Sequence, residues 1–322
     1  MSSNLSVDCV VPVDSENSDE SALHNGFLMV IAVVSLVLDC LLIAVMSRRS
    51  ASQPDLYLIC GFVIANALNS IGLLCASAYR IWWRTAEPLC VPPKQCIVGR
   101  FYIPVHMIGS GAVALSMLLL SLERFFLFWR VEWHRVVFKP FGTTVLVVMT
   151  FVLSSSEVFA VYVDSSSHSA KLISSLCYRK DYSSKYHNFV YTWLKISLAI
   201  VALLFYLLSY VIHKMSIQRA HSSSCLGQLR KARRGSTLNN LLAISSAIAF
   251  FHVAPLAMSP FSHWSIALMR GVKILHNLYL PLSVALCMVT HPFLMTNVQR
   301  LAAKLPWRLP VPRRKTAIIY IG

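Results

Sequence analysis

Charge is scarce in this chain. Only 13% of its 322 residues are Asp, Glu, Lys or Arg, and just 13 of them are acidic. A soluble domain carries about 25%, so a surface bathed mainly in water is excluded. The strict polar–apolar alternation of a membrane β-barrel is absent. So are repeats of 20–50 residues and the paired interrupted helices of secondary transporters. No His-rich metal cluster and no Ser-His-Asp arrangement occurs in the apolar runs, so neither an enzyme nor a cofactor or metal site is expected. Residues 1–25 contain no Lys or Arg. Together with a first apolar run too long for a signal-peptide core, this argues against a cleavable signal and makes the first helix the insertion signal.

What the chain does have is apolar length. It is 56% hydrophobic, with a mean hydropathy of +0.61. About 20 helical residues cross the hydrocarbon core, and seven stretches qualify: 26–46, 56–79, 101–122, 141–163, 189–212, 238–259 and 272–295. Backbone groups in lipid must be satisfied within their own segment, so these runs must be helices. The expected fold is an all-α membrane protein, a seven-transmembrane helix bundle. A tail over 1–25 precedes the bundle (26–295), and a short basic tail (296–322) follows it. The net charge of +16 does not point to nucleic acid, because the basic residues lie in short loops, where they set orientation. With the N-terminus outside and the C-terminus inside, 18 Lys and Arg fall on the inner side and 10 on the outer. The first tail is acidic (Asp8, Asp14, Glu16, Asp19, Glu20) and holds a glycosylation sequon at Asn4. A multi-pass plasma-membrane location is expected.

Of nine cysteines, Cys9, Cys90, Cys96 and Cys177 fall outside, where disulfides persist. Four allow three pairings. Cys96–Cys177 is favoured, with Cys90 as the competing partner of Cys177 and Cys9–Cys90 as the complementary bond. No cysteine follows Cys287, which excludes palmitoylation of the tail.

Polar residues inside the spans are costly and call for a partner or a role. Asp39, Asn66 and His291 lie in the middle or inner half and form a candidate core network. His106, Glu157, Lys195, His252, His276 and Asn277 lie toward the outer half and are candidate ligand contacts. Glu157 and Lys195, on successive helices at similar depth, are also candidates to pair with each other.

At the inner end of the third run the chain reads Glu123-Arg124-Phe125. This resembles the Asp/Glu-Arg-Tyr/Phe motif of the rhodopsin-like (class A) G-protein-coupled receptors. Asp39 and Asn66 resemble that family's Asn–Asp pair of helices one and two, with the residue types exchanged. Pro255 resembles its helix-six proline, and His291-Pro292 its Asn-Pro motif in helix seven. The family's helix-six Trp is replaced by Val253, helix four lacks its Trp and helix five its proline. No acidic residue opens helix six to hold Arg124, and Cys96 lies about one turn further from Arg124 than the family's cysteine. Divergent members with this look include the nematode serpentine chemoreceptors.

The resemblance implies a chemosensory receptor that binds an extracellular small molecule or peptide among helices three, five, six and seven. It would activate a heterotrimeric G protein at Glu123, Arg124 and Phe125, with Tyr210, Pro255, His291 and Pro292 in the switch. Retinal is disfavoured, because its lysine position, seven residues before Pro292, is Ala285. A biogenic amine is disfavoured because the position eighteen residues before Arg124 is His106. A pocket with His106, His252 and His276 suits anionic or hydrogen-bonding molecules. The basic loop 213–237, with Arg233-Arg234-Gly235-Ser236 resembling a kinase site, and the amphipathic stretch after Met295 are candidates to meet anionic lipid. The competing reading is a seven-span ligand-gated channel or transporter.

Overall fold

A computed structural model describes residues 18–47, 54–83, 90–167, 172–219, 240, 243–258, 266–290 and 294–297. Asn4, Cys9, His291, Pro292, residues 220–237 of the loop 213–237 and the tail after residue 297 lie outside the described residues.

The described chain is almost entirely helical. Its long helices are α1 (Ser18–Ser47), α2 (Pro54–Trp82), α4 (Tyr102–Trp129), α6 (Pro140–Ser167), α8 (Lys185–Arg219) and α11 (Ile266–Thr290). Between them lie the short helices α3 (Pro93–Gly99), α5 (Val131–Val137) and α7 (Arg179–Tyr182). Six helices are long and apolar enough to cross a membrane. A shorter apolar helix, α9 (Ala243–Val253), runs on into α10 (Ala254–Met258). It falls within the sixth apolar run of the sequence, of which only part is described. Helix α1 begins at Ser18, eight residues before its apolar run, because Ser-Asp-Glu-Ser continues the helix beyond the part that hydropathy can detect. Helix α11 likewise begins at Ile266, six residues early.

Helix α4 is the hub. It packs along α2 and also against α6 and α8, while α1 packs on α2 and α11. Between helices in lipid there is little hydrophobic drive, so close approach depends on small residues. A Cβ on Gly109 of α4 would collide with the backbone nitrogen of Asn69 in α2, and one on Gly72 of α2 would lie 2.6 Å from Cα of His106 in α4. The two backbones therefore touch at two levels. Around this contact Phe62, Val63, Ala112, Val113, Met117, Tyr206, Ile248, Tyr279 and Val284 form the main apolar core. Large apolar side chains instead cover the outward faces, such as Val30, Val33, Val34 and Val37 on α1 and Val148, Val152 and Phe159 on α6. Apolar outer faces added to an apolar core are unlike a soluble protein and match a lipid solvent.

One end of the bundle carries a folded layer. Strands β1 (Cys90–Val91) and β2 (Ile173–Ser174) pair antiparallel, and Cys96 on α3 is disulfide-bonded to Cys177. Cys90 is also disulfide-bonded, with a partner outside the described residues, so it is not the partner of Cys177. Cys177 itself adopts φ 52°, the left-handed turn that brings the chain back onto α3.

Helix α9 ends in a π turn over Ala249–Val253, where the Ala254 N–H reaches the Ala249 carbonyl. The cause is one residue further on. Pro255 has no N–H to offer and its ring crowds the preceding turn, and the wider ring relieves that crowding.

Candidate functional site

Three polar clusters are threaded along the bundle. In the middle, Asn66 Nδ2 donates to both carboxylate oxygens of Asp39 at 3.0 Å and to Ser35 Oγ at 2.9 Å. All three residues are fully buried. The expected Asp39–Asn66 contact is present, and Ser35, one turn before Asp39 on α1, is an addition to it.

At one end of α4, Arg124 Nε lies 3.2 Å from Glu123 Oε2 and Arg124 Nη2 lies 3.8 Å from Asp55 Oδ2. The other Glu123 oxygen is 2.9 Å from His134 Nε2 on α5. Asp55 is placed by the start of α2, where its carboxylate accepts the Leu56 N–H and meets the positive end of the helix dipole. It supplies the acidic partner for which no residue at the start of the sixth run qualified. Phe125 packs away from this cluster, its ring centroid 5.2 Å from those of Trp129 and Phe205. Tyr210 is only half-buried; it is Tyr206, one turn earlier, that is buried and faces Arg124.

At the other end, beneath the folded layer, lie most of the candidate ligand contacts. Arg179 Nη2 donates to Glu157 Oε1 at 2.8 Å and its Nε to Asn188 Oδ1 at 3.0 Å. The expected Glu157–Lys195 pair therefore does not form, because α7 delivers a guanidinium to that carboxylate first. Lys195 Nζ instead donates to Ser110 Oγ of α4 at 2.8 Å. The Tyr191 ring has Arg179 at 4.2 Å and Lys195 at 4.3 Å from its centroid. His252 stacks on His276, with centroids 4.9 Å apart, and lies 4.9 Å from Tyr279. His276 lies in the same region of the bundle as Lys195 and His106. His106 Nδ1 is 3.4 Å from the Asn69 carbonyl. Asn277 does not join the cluster, since its amide is spent on the Lys273 carbonyl of its own helix.

The layer above is tied down by cations on rings: Arg80 lies 4.7 Å over Tyr178 and Arg100 lies 4.4 Å over Tyr79. Burial pushes the Tyr182 phenol up from its ordinary 10.0, against the opposing pull of Arg179 and Arg80. For Arg179, burial works most strongly against the charge, but the Glu157 carboxylate, Tyr191 and Tyr182 together outweigh it and the guanidinium is held more firmly protonated than usual.

Sequence reasoning missed Arg179, Asp55, His134 and Ser110. Arg179 sits in a connection, Asp55 at a helix terminus and His134 in a loop helix, so none stood out as a polar intruder in a span. Ser110 is such an intruder, but a hydroxyl alone is a weak signal. Between the two end clusters lies a small apolar cavity of about 30 Å³, lined by residues including Phe62, Met117, Tyr206, Ile248 and Tyr279.

No protein-family model matches the chain, and no curated protein matches it significantly.

Proposed function

We propose that the chain is a seven-span plasma-membrane receptor, N-terminus outside, that binds an extracellular ligand and activates a heterotrimeric G protein. The observation that carries this reading is that one helix, α4, joins two different polar sites. Its disulfide end contributes His106 and Ser110 to the His/Lys cluster, and its other end contributes the Glu123–Arg124 pair restrained by Asp55 and His134. A ligand favouring one packing of the disulfide end shifts the population of packings at the Arg124 end. Release of an always-charged guanidinium from its carboxylates then offers it to a partner's carbonyl groups. The π turn beside Pro255 gives α9 and α10 a place to bend.

The test is a small-molecule screen in cells expressing the chain, read out by guanine-nucleotide exchange. Arg124→Ala should reach the cell surface and lose ligand-dependent exchange. Normal signalling by that variant would remove Arg124 from the mechanism and with it this reading.

A further inference from the structure

The His/Lys cluster has donors without acceptors. Lys195 Nζ reaches one oxygen, Ser110 Oγ at 2.8 Å, and otherwise faces the Tyr191 ring. The carboxylate of this region, Glu157, is committed to Arg179 at 2.8 Å. Among the described residues no carboxylate lies within ion-pair distance of Lys195. His252 is 6% exposed and neither ring nitrogen has a partner; His276 Nδ1 has none either. A neutral imidazole carries one donor and one acceptor, so His252 leaves both orphaned. Unsatisfied buried groups of this kind are costly, and native proteins keep few of them. His106 differs, since its Nδ1 already faces the Asn69 carbonyl.

Tyr279 connects this cluster to the neighbouring cavity. Its ring packs on His252, and it also lines the apolar space bounded by Phe62, Met117, Tyr206 and Ile248. We propose that Lys195, His252 and His276 bind a small monocarboxylate whose short apolar chain points past Tyr279 toward that cavity. The carboxylate accepts from the free donors of Lys195 and from an imidazole N–H, and its negative charge offsets that of the Lys195 ammonium. A cation is excluded by Lys195 and Arg179. The small cavity, about 30 Å³, favours a short chain. The inference rests on reading the disulfide end as the ligand-receiving end; it does not depend on coupling to a G protein.

The experiment uses the full chain in nanodiscs of zwitterionic lipid, with Tm followed during titration with butanoate, hexanoate, 1-hexanol and hexylamine. At least one of the two carboxylates should raise Tm, while hexanol and hexylamine should not. Lys195→Met should weaken carboxylate binding about tenfold or more, the usual loss for a charged hydrogen bond, and Lys195→Arg should weaken it less. His252→Phe keeps the ring stack and should also weaken binding, which carries the test if Lys195→Met fails to fold. No shift with either carboxylate, an equal shift with hexanol, or undiminished binding by the variants would overturn the proposal. Carboxylate binding without any nucleotide exchange would sink the receptor reading and leave this site standing. Exchange driven only by uncharged ligands would do the reverse.

Discussion

At the residue scale, a buried polar contact and a partly exposed one make opposite demands. Asp39 and Asn66 satisfy each other in the core, where interhelical hydrogen bonds contribute about 0.6 kcal/mol on average and up to roughly 1.7 kcal/mol. A double-mutant cycle on Asp39→Ala and Asn66→Ala, measured by Tm of the purified chain, should give a coupling in that range. The exchanged pair, Asp39→Asn with Asn66→Asp, should recover most of the lost stability. Arg124 and Asp55 are about a quarter exposed and 3.8 Å apart, a geometry typically worth no more than about 1 kcal/mol. Asp55→Asn should therefore raise basal nucleotide exchange modestly, about two- to fivefold, with surface expression unchanged; no rise would show that Asp55 does not restrain Arg124. The first contact was legible in the sequence because both partners interrupt apolar runs at matching depth. Asp55 was not, because an acid at a helix start has a sufficient local explanation in the helix dipole.

At the scale of the element, glycine placement decides which helices can meet. Gly109→Val should force α2 and α4 apart and cost about 1–3 kcal/mol or more, visible as lower Tm and reduced surface expression. Gly26→Val, where nothing lies within 4 Å of the added atom, should be close to neutral. Equal effects from the two would contradict the close approach of α2 and α4. Hydropathy located the apolar centres of the helices but not their starts, at Ser18 within Ser-Asp-Glu-Ser and at Ile266 ahead of Arg270-Gly271, since it reads lipid contact and not hydrogen bonding. The π turn was also hidden. Pro255 signals a disturbance, but whether a helix kinks, breaks or widens there depends on its neighbours. The widening holds one residue more than an α turn would. Phe250, 70% exposed within it, is thus the residue whose deletion should restore regular pitch and be tolerated. Deleting an exposed residue from the middle of α6 should not be, because it rotates everything beyond by about 100°.

At the scale of the molecule, six long apolar helices among the described residues and a basic excess in the connections leave the direction of threading to experiment. Translation in microsomes should glycosylate Asn4, and the Asn4→Gln variant should lose that mass; an unmodified wild-type chain would place the first tail on the opposite side and remove the receptor reading. The sequence favoured the Cys96–Cys177 bond over its rivals, and the bond is present. It left unread how Arg179, only two residues past Cys177, would reach Glu157.

The two extremities of the bundle are fastened by different means, a covalent bond across 81 residues of chain beside the Arg179–Glu157 ion pair at one, and partly exposed ion pairs without a sulfur bridge among the described residues at the other. Reductant should therefore loosen the first without touching the second, whereas rising ionic strength should weaken the second and leave the covalent tie of the first intact, because salt screens charges but not sulfur bridges. Two ordinary buffer components thus act as separate handles on a single chain.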